Sequence, residues 1–156
     1  MNKKVYLDHA ATTPVDPRVK EVMLPFLEGE FGNPSSLYRS GRMAKTALKS
    51  AREKIATILC CSPDEIVFTG SGTESDALAL LGVMRKAKSG HLITSAIEHH
   101  AVLYNAEMLE KEGFDVTYLG VDKDGFVNPA DVANALKPDT VLVSVMYANN
   151  EIGTIE

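Results

Sequence analysis

The sequence predicts an α/β protein in which a parallel sheet is flanked by helices. Its 156 residues are 45% apolar and 24% charged, which is a soluble globular composition. From residue 66 onward, short runs of β-branched and aromatic residues alternate with helical patterns. Such alternation is typical of parallel strands joined by helical crossovers. The last run is almost wholly apolar, which favours a strand covered on both faces.

Two amphipathic helices are predicted at the start of the chain. Apolar residues recur at helical spacing between Val19 and Phe26 and again between Ala44 and Leu59. Residues 31–36 between them are rich in turn formers and predict a loop. The second helix also carries a basic stripe, which we interpret as a solvated helix face: Arg42, Lys45, Lys49 and Arg52.

Strands and helices alternate in the rest of the chain. The strands are expected at residues 66–69, 92–95, 116–119 and 140–146. The helices are expected near residues 73–86, 99–111 and 130–136. Because neither a strand nor a helix is predicted between the last strand and Glu156, we expect an incomplete fold.

Composition excludes several classes of protein. The net charge of −5 argues against a general nucleic-acid binder, which needs a clustered positive surface. No apolar stretch approaches the roughly 20 residues that a membrane span requires. The N-terminus lacks the apolar core of a secretion signal, so a cytoplasmic location is expected. The neighbouring cysteines Cys60 and Cys61 fit a reducing compartment, since adjacent cysteines rarely form an unstrained disulfide.

A glycine-rich turn is the strongest local motif. It runs Gly70, Ser71, Gly72, Thr73, between a predicted strand and an apolar helix. Unpaired N–H groups at a helix N-terminus attract phosphate, and Thr73 adds a hydroxyl donor. The pattern matches neither the nucleoside-triphosphate loop nor the dinucleotide fingerprint. The alternative is an ordinary capped helix, with Ser71 or Thr73 as the cap.

Two more polar motifs directly follow predicted strands. His99 follows the second strand, at the sheet edge where ligands of parallel sheets bind, and its flat ring could stack on a flat cofactor. Metal binding is a weaker explanation, because His99 and His100 point in different directions. Asn150 follows the last strand, and its amide could donate to a ring oxygen or a carboxylate. The alternatives are a local histidine cap and asparagine turn chemistry.

Five motifs, taken in order, resemble the N-terminal part of cysteine desulfurases of the NifS/IscS type. They lie at residues 6–14, 31–36, 70–76, 98–99 and 149–153. These enzymes are class-V aminotransferases that use pyridoxal 5'-phosphate. The resemblance implies an incomplete, aspartate aminotransferase-like large domain of the pyridoxal-phosphate transferases. Residues 1–14 would line the active-site entrance, and residues 15–156 would form the N-terminal part of the cofactor-binding domain.

The resemblance also implies roles for single residues. Gly72 and Thr73 would bind the cofactor phosphate, and His99 would stack on the pyridine ring and move protons as a catalytic residue. Asn150 would bond the phenolic oxygen of the cofactor and lie near the substrate carboxylate. Residues 8–13 and 33–36 would border the substrate entrance. No metal is implied.

The implied activity is the conversion of L-cysteine to L-alanine, which leaves an enzyme persulfide for iron–sulfur cluster or thio-cofactor assembly. A homodimer and a sulfur-acceptor or scaffold protein are the implied partners. The family's cofactor-bonding lysine and persulfide cysteine match no position here; Ser89, Gly90 and His91 resemble the lysine motif, but Leu92 stands in the lysine place. We therefore expect the isolated chain to be inactive. Alternatives are a related class-V enzyme such as a selenocysteine lyase, a non-catalytic fragment, or half of a split enzyme.

Overall fold

The computed structural model describes residues 5–156, which form two compact units. The first unit extends to Phe68, and the second comprises Thr69–Glu156. Residues 1–4 of the predicted entrance segment 1–14 lie outside the described residues. None of the helices within residues 5–156 combines the length and the apolar character that a membrane span needs.

The first unit consists of helices. Helix α1 spans Pro17–Glu28 and α2 spans Arg39–Leu59, so both predicted N-terminal helices are confirmed. A single 3-10 turn follows at Pro63–Glu65. The Asp16 side chain begins α1 by accepting a hydrogen bond from the backbone N–H of Arg18 at 2.8 Å. Such a cap satisfies one of the N–H groups that a helix start leaves unpaired.

The loop between α1 and α2 packs tightly on the second helix. A Cβ atom added to Gly41 would lie 2.6 Å from the carbonyl oxygens of both Asn33 and Ser36. Only a residue without a side chain fits this approach, which holds the loop against the start of α2.

The second unit contains a three-stranded parallel sheet. Its strands are β1 at His91–Ser95, β2 at Asp115–Leu119 and β3 at Thr140–Ser144, in the order β2-β1-β3. All five residues of the central strand β1 are buried. The predicted parallel sheet is therefore confirmed, with β1 between its two neighbours.

Helices cover both faces of this sheet. They are α3 at Gly72–Ala87, α4 at His100–Lys111 and α5 at Pro129–Ala135, close to the predicted ranges. Alternate residues of a strand face opposite sides, so Leu92 and Ile93 enter different cores. The core under α3 and α4 contains Leu80, Met84, Leu92, Val102, Ala106 and Leu109. The core on the α5 side contains Ile93, Leu119 and Val127.

Two strand predictions are wrong in detail. Residues 66–69 form no strand: Ile66 has an extended backbone, but no strand within residues 5–156 pairs with this segment. The sheet thus has three strands rather than four. The last strand is not covered on both faces, because Val141 and Val143 are 37% and 41% exposed. It also lies at an edge of the sheet and not in its centre. Composition can favour an extended backbone, but pairing depends on a neighbour elsewhere in the chain.

Candidate functional site

The topology of the sheet singles out one crevice. From β1 the chain crosses to β2 on one side, and from β2 it crosses to β3 on the other, so the strand order reverses at β1. Ligands of open parallel sheets bind beyond the carboxyl ends of the strands at such a reversal. The loop after β1 leads to His99, and the loop after β3 leads to Asn150. Two predicted site residues therefore follow the strands that border the crevice.

The start of α3 is open to solvent. The Ser71 hydroxyl accepts from the backbone N–H of Glu74 at 3.2 Å, so Ser71, and not Thr73, caps the helix. The N–H groups of Gly72 and Thr73 bond to no acceptor in the described part of the chain. No neighbouring atom lies within 4 Å of a Cβ added to Gly72, so a ligand can approach the backbone there. Free N–H groups, a helix dipole and the Thr73 hydroxyl suit a phosphate.

His99 begins α4. Its Nδ1 atom accepts a hydrogen bond from the backbone N–H of Ala101 at 3.1 Å. His99 therefore caps α4, as the alternative interpretation of this residue predicts. An acceptor nitrogen needs a free lone pair, so the neutral ring that makes this bond carries its proton on Nε2. The ring is exposed and meets His100 edge-on, with the ring centres 6.2 Å apart.

The sequence does not distinguish Asn149 from its neighbour Asn150, but Asn149 makes most of the hydrogen bonds of this turn. It is 8% exposed, and its Nδ2 donates to the carbonyl oxygen of Ile97 at 2.9 Å. Its Oδ1 accepts from the N–H groups of Glu151 at 2.8 Å and Ile152 at 3.1 Å. Asn150 is exposed, and its Nδ2 donates to the carboxylate of Glu151 at 3.2 Å. The turn chemistry thus belongs to Asn149, which leaves the Asn150 amide at the surface.

Glu98 places a buried carboxyl group at the carboxyl ends of the strands. It is 7% exposed, and its Oε1 accepts from the backbone N–H of Met146 at 2.6 Å and from the Ser95 hydroxyl at 3.1 Å. Burial raises the pKa of Glu98, and the nearby carboxylates of Asp76 and Glu156 raise it further, although both hydrogen bonds oppose the shift.

The predicted residues are not enclosed in a deep pocket. Gly72, Thr73, His99 and Asn150 are all exposed. A cavity of about 750 Å³ opens beyond the end of β2, and it contains none of the four; it is lined by Gly120, Val121, Asp122, Phe126, Val127, Asn128, Pro129, Asp131 and Glu156. Within residues 5–156, no three His, Cys, Asp or Glu side chains form a group that could hold a metal ion. Residues 8–13 and 33–36 belong to the first unit, and their role at a substrate entrance stays a prediction.

Known proteins match almost the whole length of this chain. "Cysteine desulfurase IscS" of Dictyoglomus turgidum is 54% identical over 158 residues, covering 100% of this chain and 40% of that protein. A solved "NIFS-like protein" superposes with a TM-score of 0.95 at 42% identity, over 98% of this chain and 43% of that one. "SspA in complex with cysteine" superposes with a TM-score of 0.91 at 43% identity, over 96% of this chain and 44% of that one.

These comparisons show both the family of the chain and the share of its relatives that it covers. The chain spans about 40% of the length of the curated relatives that it matches. The resemblance to the NifS/IscS desulfurases is confirmed, and so is the fold class of a partial pyridoxal-phosphate transferase domain. The "Aminotransferase class-V" family matches residues 5–156. The chain therefore belongs to the class-V aminotransferases, a family of pyridoxal-phosphate enzymes.

Proposed function

We propose that this chain forms the N-terminal part of the cofactor site of a cysteine desulfurase, which converts L-cysteine to L-alanine and keeps the sulfur as an enzyme persulfide. The observation that carries the proposal is the position of His99 and Asn150 in the loops after β1 and β3, at the carboxyl ends of neighbouring strands. Partly buried hydrogen bonds join these two loops, and His99 and Asn150 follow them at the surface. The names of the relatives supply the substrate class.

The phosphate of the cofactor would lie at the start of α3. The free N–H groups of Gly72 and Thr73 and the Thr73 hydroxyl would donate hydrogen bonds to its oxygens. The capping bond from Ser71 satisfies the N–H of Glu74 further along the helix and leaves those two donors available. The positive end of the helix dipole would add a favourable interaction with the phosphate charge.

The ring of the cofactor would lie against the surface that the two loops form together. When bound, pyridoxal phosphate supplies an electron sink that stabilises negative charge on the substrate carbon next to nitrogen. The exposed face of His99 would stack on that ring, and its Nε2 atom would hold or transfer a proton. The Asn150 amide would donate to the phenolic oxygen and lie near the substrate carboxylate.

The remainder of the activity lies outside the matched motifs. The family's lysine motif, a histidine followed by lysine, does not occur in this sequence. We therefore propose that turnover needs residues that these 156 do not supply. A homodimer, a sulfur-acceptor protein for iron–sulfur cluster assembly and a cytoplasmic location complete the proposal. The family resemblance supports the first two, and the unpaired thiols of Cys60 and Cys61 support the third.

Binding of pyridoxamine phosphate tests the site. This probe has the ring and the phosphate of the cofactor, and it has no aldehyde that would react with surface lysines. We expect saturable shifts of the backbone NMR signals of Gly72 and Thr73, the ring signals of His99 and the side-chain amide of Asn150. Pyridoxamine without phosphate should bind at least about tenfold more weakly, because it lacks the group that the helix start attracts.

Matched variants separate specific from general binding. Thr73→Ala should weaken binding, whereas Thr57→Ala, which removes an exposed hydroxyl in α2, should leave it unchanged. His99→Asn keeps a good helix cap but removes the ring, and His100→Asn is its control. Shifts spread evenly over the surface, or equal effects of Thr73→Ala and Thr57→Ala, would refute the proposed site.

A further inference from the structure

A reciprocal pair of hydrogen bonds joins the loops after β1 and β3. The Glu98 side chain of the first loop accepts from the backbone N–H of Met146 in the second, at 2.6 Å. The Asn149 side chain of the second loop donates to the backbone carbonyl of Ile97 in the first, at 2.9 Å. Each loop therefore holds the main chain of the other with a side chain of its own.

Burial makes both bonds costly to lose. Glu98 and Asn149 are 7% and 8% exposed and their partners Met146 and Ile97 are half-buried, so water replaces a missing partner less readily than at the surface. A buried N–H or carbonyl group without a partner is penalised more than an exposed one. Asn149 also accepts from the N–H groups of Glu151 and Ile152, which fixes the turn that contains Asn150. The Ser95 hydroxyl donates to Glu98 from the end of β1, which fixes the carboxylate itself.

Each buried residue directly precedes an exposed candidate. Glu98 precedes His99, and Asn149 precedes Asn150. The two cross-loop bonds therefore restrain the backbone from which the imidazole and the amide project. Within residues 5–156, neither exposed side chain bonds to the opposite loop: His99 bonds to the N–H of Ala101, and Asn150 bonds to the carboxylate of its neighbour Glu151.

We propose that Glu98 and Asn149 are positioning residues, which clasp the two loops together and so fix where the His99 ring and the Asn150 amide stand. The clasp is a property of the free chain. Its consequence for binding the cofactor ring rests on the proposed function. A clasp of this kind prepares the site before the ligand arrives, which lowers the cost of ordering the loops on binding.

Three variants of the 156-residue chain test the clasp. Glu98→Ala removes the acceptor of the Met146 N–H. Glu98→Gln keeps an oxygen in that place and should restore the bond. Asn149→Asp keeps an oxygen that can accept from Glu151 and Ile152, and it loses the donor to the Ile97 carbonyl and to the Met146 sulfur. The control is Glu112→Gln, which alters a more exposed carboxylate paired with Arg85 at the other end of α4.

Hydrogen exchange at the Met146 amide is the first measurement. Glu98→Ala should speed this exchange by at least about tenfold relative to the unmodified chain, and Glu98→Gln should return it to within about threefold. Asn149→Asp should speed it as well, because the second bond of the clasp is lost. The ring signals of His99 and the side-chain amide signal of Asn150 should shift or broaden together in Glu98→Ala and in Asn149→Asp, and should not change in Glu112→Gln.

Affinity for pyridoxamine phosphate is the second measurement. Both Glu98→Ala and Asn149→Asp should weaken binding by about three- to tenfold, and combining them should cost less than the product of the two single effects, because either change alone opens the clasp. If Glu98→Ala does not fold, Asn149→Asp and Glu98→Gln still decide the matter.

The outcomes distinguish this inference from the proposed function. Unchanged Met146 exchange together with unchanged His99 and Asn150 signals in both Glu98→Ala and Asn149→Asp would overturn the clasp, even if pyridoxamine phosphate binds. Failure of the unmodified chain to bind the probe would refute the proposed function, while faster Met146 exchange in those variants would still establish the clasp. An affinity as low in Glu98→Gln as in Glu98→Ala would also count against the clasp. That result would make the charge of Glu98, and not its hydrogen bond, the important feature.

Discussion

The two ends of the central strand β1 use buried polar side chains in opposite ways. At the amino end, His91 is fully buried, and its Nδ1 and Nε2 atoms lie 2.9 Å from the Thr140 hydroxyl and 2.8 Å from the Thr117 hydroxyl. This ring therefore bridges all three strands. At the carboxyl end, Glu98 and Asn149 bond to the backbone of the loops instead. At the amino end the buried polar atoms bond within the sheet. At the carboxyl end they bond to the loops and leave the candidate functional side chains at the surface.

This contrast shows that the position of a histidine decides whether its ring nitrogens are available to a ligand. Both ring nitrogens of His91 are occupied, so the ring has no donor or acceptor left for a ligand. In His99 the backbone occupies Nδ1 alone, and Nε2 has no partner in the described part of the chain. The family's lysine motif resembles Ser89, Gly90 and His91, but this histidine serves to bridge the strands of the sheet.

Breaking the amino end should have the largest effect on stability. We expect His91→Leu to lower the free energy of unfolding by about 2 to 3 kcal/mol, because it removes two hydrogen bonds of a fully buried ring and leaves the Thr117 hydroxyl without its partner. Urea unfolding followed by circular dichroism measures this loss. The folded fraction should still bind pyridoxamine phosphate, since the carboxyl end is unchanged.

The exposed neighbour of the site supplies the control for that experiment. His100→Leu should change the free energy of unfolding by less than about 0.5 kcal/mol, because His100 is exposed. Equal losses in His91→Leu and His100→Leu would show that the bridge across the strands does not stabilise the sheet.

The carboxyl end should show an intermediate effect that depends on pH. Burial raises the pKa of Glu98 in the folded chain, so its protonated form favours folding and its ionised form opposes it. The contribution of Glu98 is therefore fully present below its unfolded pKa and is lost as the pH rises through its folded pKa. Glu98→Gln cannot ionise, and its stability relative to the unmodified chain should increase from about pH 4 to about pH 7.

Unfolding curves of the two chains at several pH values check this sign. Glu112→Gln is the comparison, because its ion pair with Arg85 lowers the pKa of Glu112 and therefore predicts the opposite slope. A difference between Glu98→Gln and the unmodified chain that does not vary with pH would mean that the pKa of Glu98 is the same in the folded and the unfolded chain, which would contradict the predicted effect of burial.

The sequence was sufficient wherever the deciding interaction is local. The helices follow from apolar spacing within a few turns, and the place of His99 and Asn150 follows from their position after strands. The segment at residues 66–69 has the composition of a strand, but it finds no partner within residues 5–156. A pattern in one segment carries no information about whether another segment will pair with it.

The clasp could not be predicted for the same reason. Its two bonds join residues 48 and 52 positions apart in the chain. A glutamate before a histidine pair and two adjacent asparagines do not reveal which member is buried. Burial is decided by the packing of β1 beside β3, so Glu98 and Asn149 become distinct from their neighbours only in the folded chain.

The smallest expected effect separates the two roles of His99. His99→Ala should lower the free energy of unfolding by about 0.5 to 1 kcal/mol, because it removes the acceptor for the Ala101 N–H at the start of α4. His99→Asn should keep this stability, since asparagine is a strong helix cap, yet it should bind pyridoxamine phosphate as weakly as His99→Ala does. Urea unfolding and probe titration of both variants, side by side, measure the two roles. If His99→Asn retained the full affinity of the unmodified chain, capping alone would account for His99, and the carboxyl end of β1 would present no ring to a ligand.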